Sequence, residues 1–198
     1  MELLALSDIG LKRTVNEDAL AVLAVGEQTG ANADFPLIIR GCGHRTEIRQ
    51  IRPPLVAVVI DGMGGMGGGD TAAGIVAERF AAAVAGHINE GLACLETILP
   101  QIFMETHGEI INMGQDEARL ATMGAALAGY AVDASGEYLV FHAGDARVYR
   151  CRSGYAEPLT RDHALPGHGP LTNCIGGGMS RDTVFLEMRR PGGNRLEA

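Results

Sequence analysis

Three carboxylates stand where the chain turns: Glu17 and Asp18 side by side, and Asp61 directly ahead of a glycine run formed by Gly62, Gly64, Gly65 and Gly67 to Gly69. Carboxylate oxygens are hard ligands, and a glycine-rich loop lets a backbone carbonyl approach a bound ion. That combination suits Mg²⁺ or Mn²⁺. The same residues also read as a solvated turn (Glu17, Asp18) and a helix-side cap (Asp61), and spacing does not choose between the two readings. The glycine loop lacks the Lys-Ser/Thr ending of a P-loop, which ranks a nucleotide binder last.

Positioning these groups requires particular elements. Leu3 to Asp8 and Ala19 to Val25 are short apolar stretches around the charged link Lys12 to Asp18, a pattern for two strands joined by a functional turn. Leu55 to Ile60 is a continuous run rich in β-branched residues. It predicts a strand buried on both faces that delivers Asp61 to its C-terminal end. From Asp70 the period becomes helical, with Ile75, Arg79 and Phe80 as neighbours and Asp70 placed to cap the start. A second helix over much of Leu92 to Gln115 must accommodate Pro100 as a kink or a start. Strand patterns return at Met123 to Val132, Tyr138 to Ala143 and Val148 to Cys151. Residues 28–54, with the basic patch Arg45, Arg49 and Arg52, read as an insertion or a long loop. Antiparallel hairpins beside a helical pair argue for α+β rather than a parallel α/β sheet.

With 198 residues, 46% hydrophobic and 20% charged, the chain fits one domain over residues 1–198 and is long enough to bury a sizeable core. Its 16 Lys+Arg against 24 Asp+Glu give a net charge of -8. This disfavours nucleic-acid binding driven by phosphate neutralisation and suits a hard cation or a cationic peptide. Cys42, Cys94, Cys151 and Cys174 are scattered, so reduced thiols are the expectation rather than a disulfide framework. No apolar run approaches the roughly 20 residues that span a bilayer, and the first residues lack a signal peptide's basic start. These features predict a cytoplasmic protein without membrane partners.

Four segments occur in an order that resembles the metal-dependent Ser/Thr protein phosphatases (PPM family), bacterial branch: Arg13 to Ala19, Asp61 to Gly65, Met123 to Leu127, and Gly144 to Arg147 followed by Leu159 to His163. The resemblance implies a four-layer αββα sandwich of two antiparallel sheets flanked by helix pairs. It implies that Arg13 holds the substrate phosphate, for which a guanidinium fork is well shaped. Glu17 and Asp61 match metal ligands, with Asp61 bridging two ions and the Gly62 carbonyl completing the second site. Asp18 matches a carboxylate that orients metal-bound water. Asp145 matches a carboxylate near an additional, weaker metal position, and equally a turn aspartate capping a hairpin. The reaction implied is hydrolysis of phosphoserine and phosphothreonine in proteins by a water activated between two Mn²⁺ or Mg²⁺ ions, opposing a Ser/Thr kinase. None of the cysteines opens the Cys-to-Arg loop of a thiol-dependent phosphatase.

The sequence departs from the family pattern in two places. The family's third and fourth metal carboxylates come late in the domain and have no counterpart before Ala198, which by analogy leaves out roughly the last fifth. On that reading the first ion keeps only the bridging Asp61, which impairs turnover by this chain alone. Met66 stands where bacterial relatives commonly place His, making His163 a candidate replacement acid or else a structural hydrogen-bonder. The alternative function is a non-catalytic phosphatase-like module that binds a phosphorylated partner.

Overall fold

The computed structural model describes residues 2–24, 36–41, 44–49, 51–64, 68–167 and 169–192. Its architecture is α+β, with antiparallel sheets and two helices. In chain order the strands are β1 (Glu2–Ser7), β2 (Ala19–Ala24), β3 (Leu37–Arg40), β4 (His44–Arg49) and β5 (Leu55–Met63). The helices α1 (Gly69–His87) and α2 (Leu92–Asp116) follow, and then β6 (Gly124–Val132), β7 (Tyr138–Ala143), β8 (Tyr149–Arg152), β9 (Tyr155–Pro158), β10 (Ile175–Gly176) and β11 (Glu187–Arg189). The main sheet has the order β11-β7-β6-β5-β2-β3, with β10 added on β6. The ribbons β1-β4 and β8-β9 stand apart from it.

The period-2 alternation of β5 sorts its side chains. Val56, Val58 and Ile60 enter the core shared with the helices, while Leu55 joins the opposite face. Phe80 of α1 lies 6.3 Å from Phe141 of β7, ring to ring, and Leu95, Leu99 and Phe103 of α2 close the same core. Each such large apolar side chain contributes roughly 1.5–3 kcal/mol by leaving water. Ala72, Ala73, Ala77 and Ala81 are buried along α1, and their small side chains let the helix lie close on the sheet. On the other face, Ala5 of β1 packs with Leu20, Val22 and Leu55, and Leu159 packs with Val132, Tyr138 and Val140. Between the two ribbons runs an open channel of about 400 Å³ floored by Ala57, Val59, Ala128 and Tyr130.

The two strands expected around the Lys12 to Asp18 link are β1 and β2, and each takes another partner: β1 runs antiparallel to β4, and β2 lies between β3 and β5. The alternating backbone of His44–Arg49 supplies β1 with a partner that the charged sequence conceals. Residues 28–54 therefore do not form a long loop throughout, since they hold β3 and β4. Asp70 is not the cap of α1, where Gly68 sits; it lies in the first turn and accepts the Thr71 N–H at 2.7 Å, a placement that favours negative charge at the helix start. The expected α+β layering is present: among the described residues one helix pair covers one face of the main sheet, and the two antiparallel ribbons lie on the other. Pro100 is accommodated inside α2. It has no N–H for the Glu96 carbonyl one turn earlier.

Candidate active site

β5 lies between β2 and β6 in the middle of the main sheet; its pairing with β2 ends at Ile60, and β6 alone holds the C-terminal end, with Asp61 opposite Ala126 and Gly62 opposite Ala125. The Asp61 side chain points away from the helices. Immediately after it, Gly62 passes so close to the start of α1 and to the β1–β2 link that a Cβ there would collide with the Gly69 and Glu17 backbone oxygens. A Cβ on Gly69 would in turn fall 2.7 Å from Glu17 Oε1. Glycine is required here because three backbone segments meet. The meeting places the Glu17 carboxylate beside the Gly62 backbone.

The link carrying Arg13, Glu17 and Asp18 is fixed by a chain of hydrogen bonds. The Asn16 side-chain oxygen accepts the Asp18 N–H at 3.0 Å, and its amide donates to Ser7 Oγ at 2.8 Å. Ser7 donates onward to the Gly41 carbonyl at 2.7 Å, and Gly41 N–H returns to the Asp18 carbonyl at 3.2 Å. Asp18 and Asp61 then line one cavity of about 200 Å³ together with Ser7 and Ala146. Arg13 extends into solvent and meets Glu17 at 3.7 Å.

Electrostatically the candidates converge on Asp61. Although its surface is open to solvent, protein surrounds it on most sides. Desolvation first, then the charges of Asp18 and Asp145, push its pKa up to about 6, with Glu17 adding to the rise and Arg13 opposing it. Asp18 is likewise raised, chiefly by burial, while its hydrogen bond with Asp61 and the charge of Arg13 pull the other way. Four carboxylates thus face one guanidinium, a surplus of negative charge made of hard oxygen donors. That donor set fits a divalent cation of the Mn²⁺ or Mg²⁺ class. The grouping is electrostatic rather than tight: among the described residues no three of these carboxylates lie within 4.8 Å of one another.

Asp145 reaches the site on the turn after β7. Gly144, with φ +103° and Ala126 directly beneath it, makes that turn possible. His163 clamps the turn from below: its N–H donates to the Gly144 carbonyl at 2.9 Å, and its ring Nδ1 accepts the Gly144 N–H at 3.3 Å. Asn173 donates to the same Nδ1 at 2.9 Å, with its amide orientation fixed by Phe185 on both sides. Nδ1 is therefore an acceptor, and the proton sits on Nε2, 3.0 Å from Glu187. His163 is a structural hydrogen-bonder, with both ring nitrogens engaged rather than one free to act as a replacement acid. Burial, then Asp145, raise the Cys174 thiol to about 11, which keeps it protonated and poorly nucleophilic. Sequence reasoning missed the supporting roles of Ser7, Gly41, Asn173 and Glu187, whose partners lie far along the chain. Asn16 carried a local signal, an Asx side chain two residues ahead of the group it positions. Gly65 to Gly67, including Met66, and the side chains of Arg45 and Arg49 lie outside the described residues.

A β-strand carrying an aspartate into a carboxylate-rich cleft, backed by one helix pair, defines a class, and comparison with known proteins supplies the family. The Protein phosphatase 2C family model matches residues 48–195, so the chain belongs to that family, the metal-dependent PPM type. Asp61, Gly62 and Asp145 fall inside the match, whereas Arg13, Glu17 and Asp18 precede it. The serine/threonine phosphatase Stp of Listeria innocua is 30% identical over 115 residues, 56% of this chain and 44% of that protein. The matched stretch therefore spans less than half of the relative's length. In fold, the chain is similar to the S. agalactiae serine/threonine phosphatase, with TM-score 0.72 and 18% identity over 96% of this chain and 74% of that one. It is also similar to the catalytic domain of the phosphatase PstP in complex with two manganese ions, with TM-score 0.63 and 21% identity over 96% of this chain and 71% of that one. No helix among the described residues is long and apolar enough to cross a membrane.

Proposed function

We propose that this chain carries the site of a protein serine/threonine phosphatase that hydrolyses phosphoserine and phosphothreonine with Mn²⁺ or Mg²⁺. The observation that carries the reading is the gathering of Glu17, Asp18, Asp145 and Arg13 around Asp61, whose carboxylate pKa is raised to about 6 by burial first and then by the neighbouring carboxylates, against the pull of Arg13. Glu17, Asp61 and the Gly62 carbonyl are the groups that would hold metal, with Asp145 serving a further, weaker position. Two such ions would supply an activated water and charge neutralisation at phosphorus.

The chain's own groups have distinct tasks. Asp18, hydrogen-bonded to Asp61, orients the attacking water by accepting its proton-side hydrogen bond. Arg13 offers two parallel N–H donors to phosphoryl oxygens, and its 3.7 Å contact with Glu17 is loose enough to be exchanged for substrate. The substrate is a phosphorylated protein supplied by an opposing Ser/Thr kinase. Family membership and the Mn²⁺-bound PstP neighbour support the metal class. A cytoplasmic setting accords with the scattered cysteines.

The role of Arg13 has its own test. Arg13→Ala raises KM for a phosphothreonine peptide by at least about tenfold, the scale of one lost charge-assisted pair, with the Mn²⁺ dependence unchanged. A variant with weakened Mn²⁺ affinity and unaltered KM would contradict the assignment.

A further inference from the structure

Among the described residues, two clusters outside the proposed active site bring three potential metal ligands within 4.8 Å of one another: His142, His163 and Glu187, and His87, Glu90 and Cys94. The first fails on proton chemistry. The His163 Nδ1 lone pair is already taken by the Gly144 and Asn173 N–H groups, so its proton must sit on Nε2, the only atom it could turn toward a cation beside Glu187. His142 Nε2 is likewise committed to the Arg161 carbonyl at 2.9 Å.

The second cluster has no such lock. His87 ends α1, Glu90 lies in the 3₁₀ turn Ile88–Glu90, and Cys94 sits in the first turn of α2. His87 Nδ1 faces one Glu90 oxygen at 3.1 Å, and Cys94 Sγ donates to the other at 3.2 Å. Two hydrogen-bonding protons thus point into the space between one imidazole nitrogen, one carboxylate and one sulfur. One divalent cation can take the place of both. On binding, the thiol releases its proton to solvent, the imidazole proton moves to Nε2, and no electron is transferred. Nitrogen, oxygen and sulfur together select a borderline cation over Mn²⁺ or Mg²⁺, and three protein ligands plus water complete a tetrahedron. His87 and Glu90 are solvent-accessible, so entry is open. The 19 residues of α1 hold this cluster roughly 27 Å from the start of the helix beside Gly62, at 1.5 Å per residue.

We propose that His87, Glu90 and Cys94 form a Zn²⁺-class binding site that ties the end of α1 to the start of α2, separate from the carboxylate site at Asp61. The test titrates the full chain, kept reduced by a phosphine, with Co²⁺ as a spectroscopic stand-in for Zn²⁺. A thiolate-to-cobalt charge-transfer band is expected, bleached by Zn²⁺; the all-oxygen groups at Asp61 cannot produce one. Cys94→Ser abolishes the band, and His87→Gln and Glu90→Gln each weaken binding by at least the roughly tenfold that loss of even an outer partner costs a metal site. Phosphatase activity with Mn²⁺ stays unchanged in Cys94→Ser, which separates this site from the proposed function. Absence of the band in the unaltered chain overturns the proposal. So does a band that survives Cys94→Ser, as it would if exposed Cys151 were the ligand, or one indifferent to both His87 and Glu90.

Discussion

Asp61 is held in a state that costs the fold and serves the proposed chemistry. Its pKa of about 6 lies above the ordinary 3.8, so between those values the folded chain binds more protons than the unfolded one, and stability falls as pH rises. Below about pH 4 the cost is absent; above about pH 6 it is complete. A shift of this size corresponds to roughly 3 kcal/mol, and the exposure of the carboxylate reduces the expected effect to about 1 kcal/mol. Metal-free Asp61→Asn is therefore expected to be about 1 kcal/mol more stable than the parent at pH 7 and equal to it near pH 4, as read by urea denaturation at both values. A variant less stable at pH 7 would mean that Asp61 is favourably paired rather than crowded. The carboxylates themselves were legible in the sequence because their types and order form a motif. Asn173 was not, because its work is to hold a turn almost 30 residues away, and for His163 the sequence left two roles open because only the folded chain reveals which ring nitrogen accepts.

At the scale of elements, the site depends on one joint, where β5 ends, α1 begins and the β1–β2 link crosses both. Gly62→Ala places a methyl group against the Gly69 and Glu17 backbone oxygens, which no side-chain rotation relieves. The expected cost is near the upper end of the roughly 1–3 kcal/mol typical of overpacking, accompanied by weakened Mn²⁺ binding as Glu17 is pushed away. Calorimetry with and without Mn²⁺ checks both effects, and a variant with full stability and affinity would show that the joint is looser than drawn. α1, α2, β6 and β7 were readable from their periods, and β5 from its continuous β-branched run, although Val59 on its second face is exposed rather than buried. β1's partner was not: β4 is the charged stretch His44–Arg49, and strand pairing across some 40 residues leaves no local trace in either sequence.

Across the whole molecule, the two faces of the main sheet differ in kind. The helix face is closed by the large core around Phe80, Phe103 and Phe141, whereas among the described residues the face bearing Asp61 is covered by two ribbons with an open channel between them. Stability is concentrated on one side and the proposed chemistry on the other. The second, Zn²⁺-class cluster sits at the far end of the stable side, so the two sites are separable by mutation. We propose that Asp61 anchors a Mn²⁺-dependent phosphatase site, and comparison of the purified chain with Asp61→Asn tests this. Mn²⁺ binding by calorimetry is followed alongside turnover of a phosphothreonine peptide with Mn²⁺, with Mg²⁺ and with EDTA. Binding at Asp61, with any turnover abolished both by EDTA and by Asp61→Asn, is the predicted result; undiminished Mn²⁺ binding in the variant, or turnover that persists in EDTA, would contradict it.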